Sequence, residues 1–339
     1  MNLVRAEWKR FFARRFTRLM VVVVLAILAL IGLGVALSTQ PPGPGAVAEA
    51  ERMAAQERER IAEARRQCEA FQSGTGSTGS GEKIGQLPPG ETCATVYRDD
   101  YATAENFMPH VFSFRDEAPT LLMVFGGVLA LFAFAVGASF IGAEWSSGGI
   151  MNLLLWRPRR VPVLTGKLVT LLAAVTATWL VLAAGWVALL WGVAAFRGRF
   201  GTITSGVVQS MALTSLRSLA LVLAVAAVGF GVASLGRNTA TALGLAVGYV
   251  VVLEIGARIV LEIAEVIKPE RWFLSTYAVA WLNKKVTITE WRHCRYETTS
   301  DCQSYDWTVD MNQSALVFGA ILVVVLGLAF LAFRQRDVT

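Results

Sequence analysis

Glu144, Arg157, Arg159, Arg160 and Lys167 fall in one stretch, Gly142–Lys167, tied at both ends to long apolar segments. The chemistry this set offers is charge pairing and docking. Ile150, Leu153 and Leu154 share a helical face inside it, and Pro158 stops the turn. A second charged set, Arg217, Glu254, Arg258 and Glu262, lies in or beside the apolar segments nearer the other end. Glu254, Arg258 and Glu262 are spaced i, i+4, i+8, so on a regular helix they share a face and neutralise one another. Arg217 lies at a similar depth, where packing of adjacent spans would let Glu254 choose between Arg258 and Arg217. Charges at such depth mark either a functional site or a structural ion pair that anchors the outer helix ends. Cys68, Cys93, Cys294 and Cys302 form the third set. A zinc site from His293, Cys294 and Cys302 would have only three ligands at an unsuitable spacing, so no metal is expected.

Several chemistries are excluded. Gly166-Lys167-Leu168 lacks the upstream glycine and the Ser/Thr of a P-loop, so this chain binds no nucleotide in that way. No Asp or His lies in any apolar segment, and no serine–base dyad is available there. Intramembrane proteolysis and axial haem ligation are therefore not expected, nor is any cofactor in this chain.

The elements that must carry these residues are membrane helices. The 339 residues are 55% apolar, with four cysteines and two histidines, and mean hydropathy is +0.52. Residues 1–18 place Val4, Trp8, Phe11, Phe12, Phe16 and Leu19 at helical spacing, with Arg5, Lys9, Arg10, Arg14, Arg15 and Arg18 mostly around the other side. This pattern predicts an interfacial amphipathic helix whose cations face anionic headgroups. Leu19–Leu37 then runs uncharged for about 28 Å at helical rise, enough to span hydrocarbon. The basic region and apolar run are both too long for a cleaved signal peptide, and no clear A-x-A site follows. Further spans are predicted at 119–141, 168–196, 212–235, 240–261 and 314–333.

With the N-terminus cytoplasmic, the inner pieces 1–18, 142–167, 236–239 and 334–339 hold only Glu7, Glu144 and Asp337 as acids among many Lys and Arg. In the loops opposite, acids outnumber bases. The positive-inside rule therefore places both termini in the cytoplasm. This asymmetry accounts for the net charge of +6 without nucleic acid.

The outer loop 38–118 is predicted to be a small domain. Val47, Ala50, Ala54, Ile61, Ala64, Cys68 and Phe71 keep a 3,4 spacing broken only by Glu57, which marks a long helix packed along one seam. Ser73–Gly81 is a flexible joint. The second outer loop, 262–313, begins with an apolar run interrupted by Lys268, Pro269, Glu270 and Arg271, too broken to span and suited to re-entrant helices. Val286–Trp291 alternates as a strand, and Tyr305, Trp307 and Val309 alternate again. An outside location favours disulfides, and sequence nearness favours Cys68–Cys93 and Cys294–Cys302 among the three pairings. Ala240, Gly244 and Gly248 form a small-xxx-small stripe that lets helices approach, either between subunits or within one.

The order Gly142-x-Glu144-Trp145-x-x-Gly148, a Leu-rich run, Arg157-Pro158-x-Arg160 and then Lys167 resembles the first cytoplasmic loop of type-2 ABC exporter permeases. The resemblance extends over most of the chain, and this loop is its most specific part. It implies that Glu144, Trp145, Gly148, Leu153, Leu154, Pro158, Arg160 and Lys167 belong to a coupling helix that docks on a separate ATPase. It also implies that the re-entrant segments form an external gate and that the first and fifth spans line a contact between two permeases.

The expected fold class is an all-α polytopic membrane protein: six transmembrane helices, a cytoplasmic N-terminal amphipathic helix, re-entrant external helices before the last span and a small external domain after the first. The expected function is that of the permease subunit of an ATP-driven exporter in a bacterial plasma membrane. It would move a hydrophobic or amphiphilic drug, lipid or peptide. Its partners would be two ABC-type ATPase subunits, which bind the Mg-ATP, together with a second permease copy and membrane lipid. The chain itself is not expected to be an enzyme. The 38–118 domain and the 283–313 hairpin depart from the shortest family members. A membrane anchor or sensor presenting 38–118 to an external partner is the alternative, as is an ion-coupled carrier or channel, although the mostly Ala, Val, Leu and Gly spans lack a polar stripe.

Overall fold

A computed structural model describes residues 8, 10–39, 43–73, 92–156, 159–264, 266, 269–292 and 303–335. The chain divides into two compact units, one of 1–35, 113–288 and 307–339, the other of 36–112 and 289–306.

Among the described residues of the first unit are six helices long and apolar enough to cross a membrane. They are α1 (Arg15–Ser38), α5 (Phe114–Ser146), α7 (Arg160–Phe196), α8 (Ser205–Gly236), the composite span Thr239–Ile263, and α12 (Met311–Gln335). Residues 10–13 are helical, and Arg14 breaks the helix before α1.

Several helices outrun the apolar segments that predict them. The third begins at Arg160 rather than 168, so Arg160–Lys167 form its first two turns instead of a loop. The second begins at Phe114 rather than 119 and the fourth at Ser205 rather than 212. Helical hydrogen bonds close within the backbone whatever the side chains carry, so a helix continues past the point where hydropathy ends.

The tightest packing joins α5 to α8. A Cβ added at Gly137 of α5 would strike the carbonyl oxygen of Ala226 on α8. One added at Gly229 of α8 would strike that of Phe134 on α5. The two glycines thus admit each other's backbone, the use of small residues that association in lipid favours. Phe125 of α5 also stacks on Trp186 of α7, with centroids 6.2 Å apart.

Local chemistry sets the turns. Arg237 takes a left-handed conformation (φ 53°) after α8, and the Asn238 side chain accepts from the Ala240 N–H to cap the next helix. That fifth span is an α-helix over Thr239–Gly248 (α9), a π-helix over Tyr249–Ala257 and an α-helix again over Arg258–Ile263 (α10). A 3₁₀ turn at Pro269–Trp272 and helix α11 (Leu274–Asn283) follow. Strands β1 (Lys285–Arg292) and β2 (Gln303–Asp310) pair in a two-stranded sheet as their alternation predicts, and the Met311 N–H donates to the Lys284 carbonyl at its base.

In the second unit, helix α2 (Pro44–Gln72) packs against the short helices α3 (Cys93–Val96) and α4 (Ala104–Phe107). Ala50, Ala54, Ile61 and Cys68 of the predicted seam are buried. Ala64 is half-buried, while Val47 and Phe71 at the ends are exposed. Glu57 occupies the remaining seam position half-buried and pairs with Arg60 at 2.9 Å. Cys68 and Cys93 form a disulfide. Arg58 and Arg65 donate to the carbonyls of Ala102 and Tyr97, fastening the strip that follows Cys93 to α2. Cys294 and Cys302, with His293, lie outside the described residues.

Candidate functional site

The predicted docking stretch is built around one carboxylate. Glu144 lies in the last turn of α5. Its Oε1 lies 2.5 Å from Nη2 of Arg14, and its Oε2 lies 2.6 Å from Nζ of Lys167. Lys167 is 1% exposed, so burial forces its ammonium to keep an ionic partner. Arg14 also donates to the carbonyls of Ser139 and Phe140, and both cations lie over the Phe140 ring, at 5.0 and 5.8 Å. One acid thereby ties together the start of α1, the end of α5 and the second turn of α7.

The neighbouring residues complete this end. Trp145 packs edge-on against Phe333 of α12, and the Arg237 guanidinium lies over its ring. Arg160 donates to the Arg334 carbonyl. These contacts bring together the α1 start, the α5–α7 connection, the α8–α9 turn and the α12 end, as six alternating spans require. Gly142 allows the approach, because a Cβ there would lie 2.8 Å from the Thr239 Cα.

Gly148, with φ 71°, turns the chain out of α5 into the short helix α6 (Gly149–Trp156). Sequence spacing groups Ile150 with Leu153 and Leu154 as a docking face. The structure instead buries Ile150 (1% exposed) and leaves Met151 (41%) and Leu155 (81%) outward. Leu153 is half-buried and, with Arg10, Arg14, Glu144, Gly149 and Asn152, lines an open cleft of about 470 Å³. Leu154 lies within α6; Arg157 and Pro158 lie outside the described residues. Met151, Leu155 and the pairing of Arg14 escaped the sequence reading. In the sequence Arg14 is one of six cations before the first span, and nothing there distinguishes it from the other five.

The second charged set comes together differently from its prediction. Glu254 sits in the π-helix and faces the start of α11. Its Oε1 accepts from the Tyr249 hydroxyl at 2.8 Å and the Ser275 N–H at 3.1 Å, and its Oε2 accepts from the Ser275 hydroxyl at 2.7 Å. The Leu274 N–H donates to Tyr249 Oη. The N-cap residue of α11 is Phe273, which cannot cap, so the fifth span supplies the acceptors that the first turn lacks. Arg258 lies 3.9 Å from Glu254, donates to Ser275 Oγ and covers the Phe273 ring.

Arg217 does not join this group. It donates to the Leu282 carbonyl at the other end of α11, and Trp281 Nε1 donates to the Arg217 carbonyl, each at 2.8 Å. The expected choice of Glu254 between Arg258 and Arg217 is corrected accordingly. Of the stripe Glu254–Arg258–Glu262, Arg258 pairs with Glu254 at i,i+4, while Glu262, one turn further on in α10, is exposed. Tyr249 and Trp281 were not anticipated; a lone tyrosine five residues before a span's only acid was the available signal.

Ala240 and Gly244 are exposed and Gly248 is half-buried, and nothing lies within 4 Å of a Cβ built at either glycine. None of the fifth span's most apolar window is buried within the chain.

Comparison with known families matches residues 1–338 to the family described as ABC-2 family transporter protein. No curated protein and no solved structure matches the chain.

Proposed function

The chain belongs to the ABC-2 transporter family, and from that premise we propose that it is the membrane-spanning permease of an ATP-driven exporter. The observation that carries this reading is the Arg14–Glu144–Lys167 knot. Family membership implies an ABC ATPase as partner. The outward Met151 and Leu155 of α6 and the cleft beside Arg10 and Arg14 suit such a partner. Both termini are then cytoplasmic, in a bacterial plasma membrane.

A push on α6 or on residues 10–13 reaches α1, α5 and α7 together, because Glu144 joins all three. The close contact of α5 with α8 carries the motion on to Arg217 and hence to α11, the proposed outer gate. Two permease copies meet through the open stripe Ala240–Gly244–Gly248, with two ATPase subunits below them. ATP and Mg²⁺ reside in the ATPase. The spans' apolar lining suits a hydrophobic or amphiphilic cargo such as a drug, lipid or peptide. The test is co-purification: a tagged chain should bring down an ABC-type ATPase whose hydrolysis responds to amphiphilic compounds in nanodiscs. Recovery of the chain without any ATPase would overturn the reading.

A further inference from the structure

Helix α11 carries opposite charges from two different spans at its two ends. Glu254 and Tyr249 of the fifth span cap its first N–H groups, and Arg217 of α8 holds a carbonyl of its last turn. Each charge has the sign that favours its end of the helix dipole, so α11 is fastened at both ends by complementary groups. The two fastenings stand on unequal foundations. Half of the apolar window of α8 is buried, against α5 above all, and Trp281 adds a second bond from α11 to it. No part of the corresponding window of the fifth span is buried, and Glu254 lies within its π-helical interruption. Within one chain the fifth span is thus held less firmly than α8, and π turns inside α-helices are a common site of functional adjustment.

We infer that Tyr249 and Glu254 form a latch: α11 stays with α8 through Arg217 and Trp281, and parts from the fifth span at Glu254 when the far end opens. The assignment of α11 as a gate rests on the proposed export function; the unequal holding of its two ends does not. In the proposed dimer the fifth span faces the second copy, so its position follows the subunit contact while α11 follows its own chain's α8. The latch would then convert a change at the subunit contact into release of the gate helix.

The test uses the full chain in nanodiscs, with Cys294 and Cys302 replaced by serine and nitroxide pairs at exposed positions. One pair, Val252→Cys with Val279→Cys, reports fifth span to α11. The other, Leu216→Cys with Val279→Cys, reports α8 to α11. Distances from electron–electron resonance should be single and narrow for both pairs without further change. Glu254→Ala should add a population longer by about one helical turn, some 5 Å, to the 252–279 pair and leave 216–279 unchanged. Tyr249→Phe is the milder variant should Glu254→Ala not fold, and should give a smaller share of the same population. Equal broadening of both pairs, a change confined to 216–279, or no change in either would overturn the latch. These distances are read without ATPase or cargo, so failure of the export reading leaves the result interpretable. If an ATPase co-purifies, trapping its ATP-bound state should lengthen 252–279 in the otherwise unchanged protein and leave 216–279 as it was. A lengthened 216–279 distance there would assign the release to the other end of α11.

Discussion

Arg14 and Glu144, 130 residues apart in sequence, share an ion pair at 2.5 Å that fixes the start of the first span to the end of the second. Lys167 completes the group from a position that is 1% exposed. Removing one member of such a buried group leaves an uncompensated charge, whereas removing both partners together costs much less.

Lys167→Met should therefore destabilise the protein by about 3–5 kcal/mol. Glu144→Gln combined with Lys167→Met should cost clearly less than the two single changes summed. Thermal unfolding of the four proteins in one detergent gives the cycle, and strict additivity would show that the pair is not coupled in solution.

The outward face of α6 carries Met151 and Leu155, with Ile150 turned inward. Leu155→Asp should leave expression and melting temperature near those of the unchanged protein and abolish ATPase co-purification. Ile150→Asp should lower yield and stability, because it buries a charge without a partner. Retained ATPase binding in Leu155→Asp would remove this face from the interface.

Gly137 and Gly229 admit the opposing backbones of α8 and α5. Gly229→Val should force the pair apart and cost at least the 1–3 kcal/mol typical of overpacking. Gly244→Val, at a position open within the chain, should leave the monomer's stability little changed and weaken self-association. Sedimentation in detergent separates the two effects.

The Cys68–Cys93 bridge closes a separation of 25 residues. Chain-entropy arguments give bridges of that size about 3 kcal/mol. Cys68→Ser with Cys93→Ser should open the second unit to limited proteolysis near Tyr97 and Ala102 and spare the membrane helices. Peptide mapping without reductant should recover the 68–93 link.

Orientation follows from two exposed serines, Ser73 and Ser146. With both termini cytoplasmic, Ser73→Cys should react with an impermeant maleimide in intact cells, and Ser146→Cys only after permeabilisation. The reverse pattern would invert the protein and place α6 beyond the reach of a cytoplasmic ATPase.

Much of this architecture was legible from residue order. Apolar runs of spanning length mark all six membrane helices, since hydropathy and helical rise are local properties. The 3,4 spacing of Ala50, Ala54, Ile61 and Cys68 marks the buried seam of α2, and alternation marks β1 and β2. Glu144, Gly148 and Lys167 stand out because lipid would reject the charges and only a turn needs the glycine. Tertiary structure alone decided the partners. The sequence offers Glu254 two arginines at comparable depth. The fold places Arg217 on the last turn of α11, and Glu254 on its first, because each end of that helix presents backbone groups with no partner of their own. The same holds for α6, where spacing defines the apolar face but only the packing around it buries Ile150 and leaves Leu155 outside. Local periodicity tells which residues share a face, and the long-range packing of α1, α5, α7 and α8 determines what that face meets.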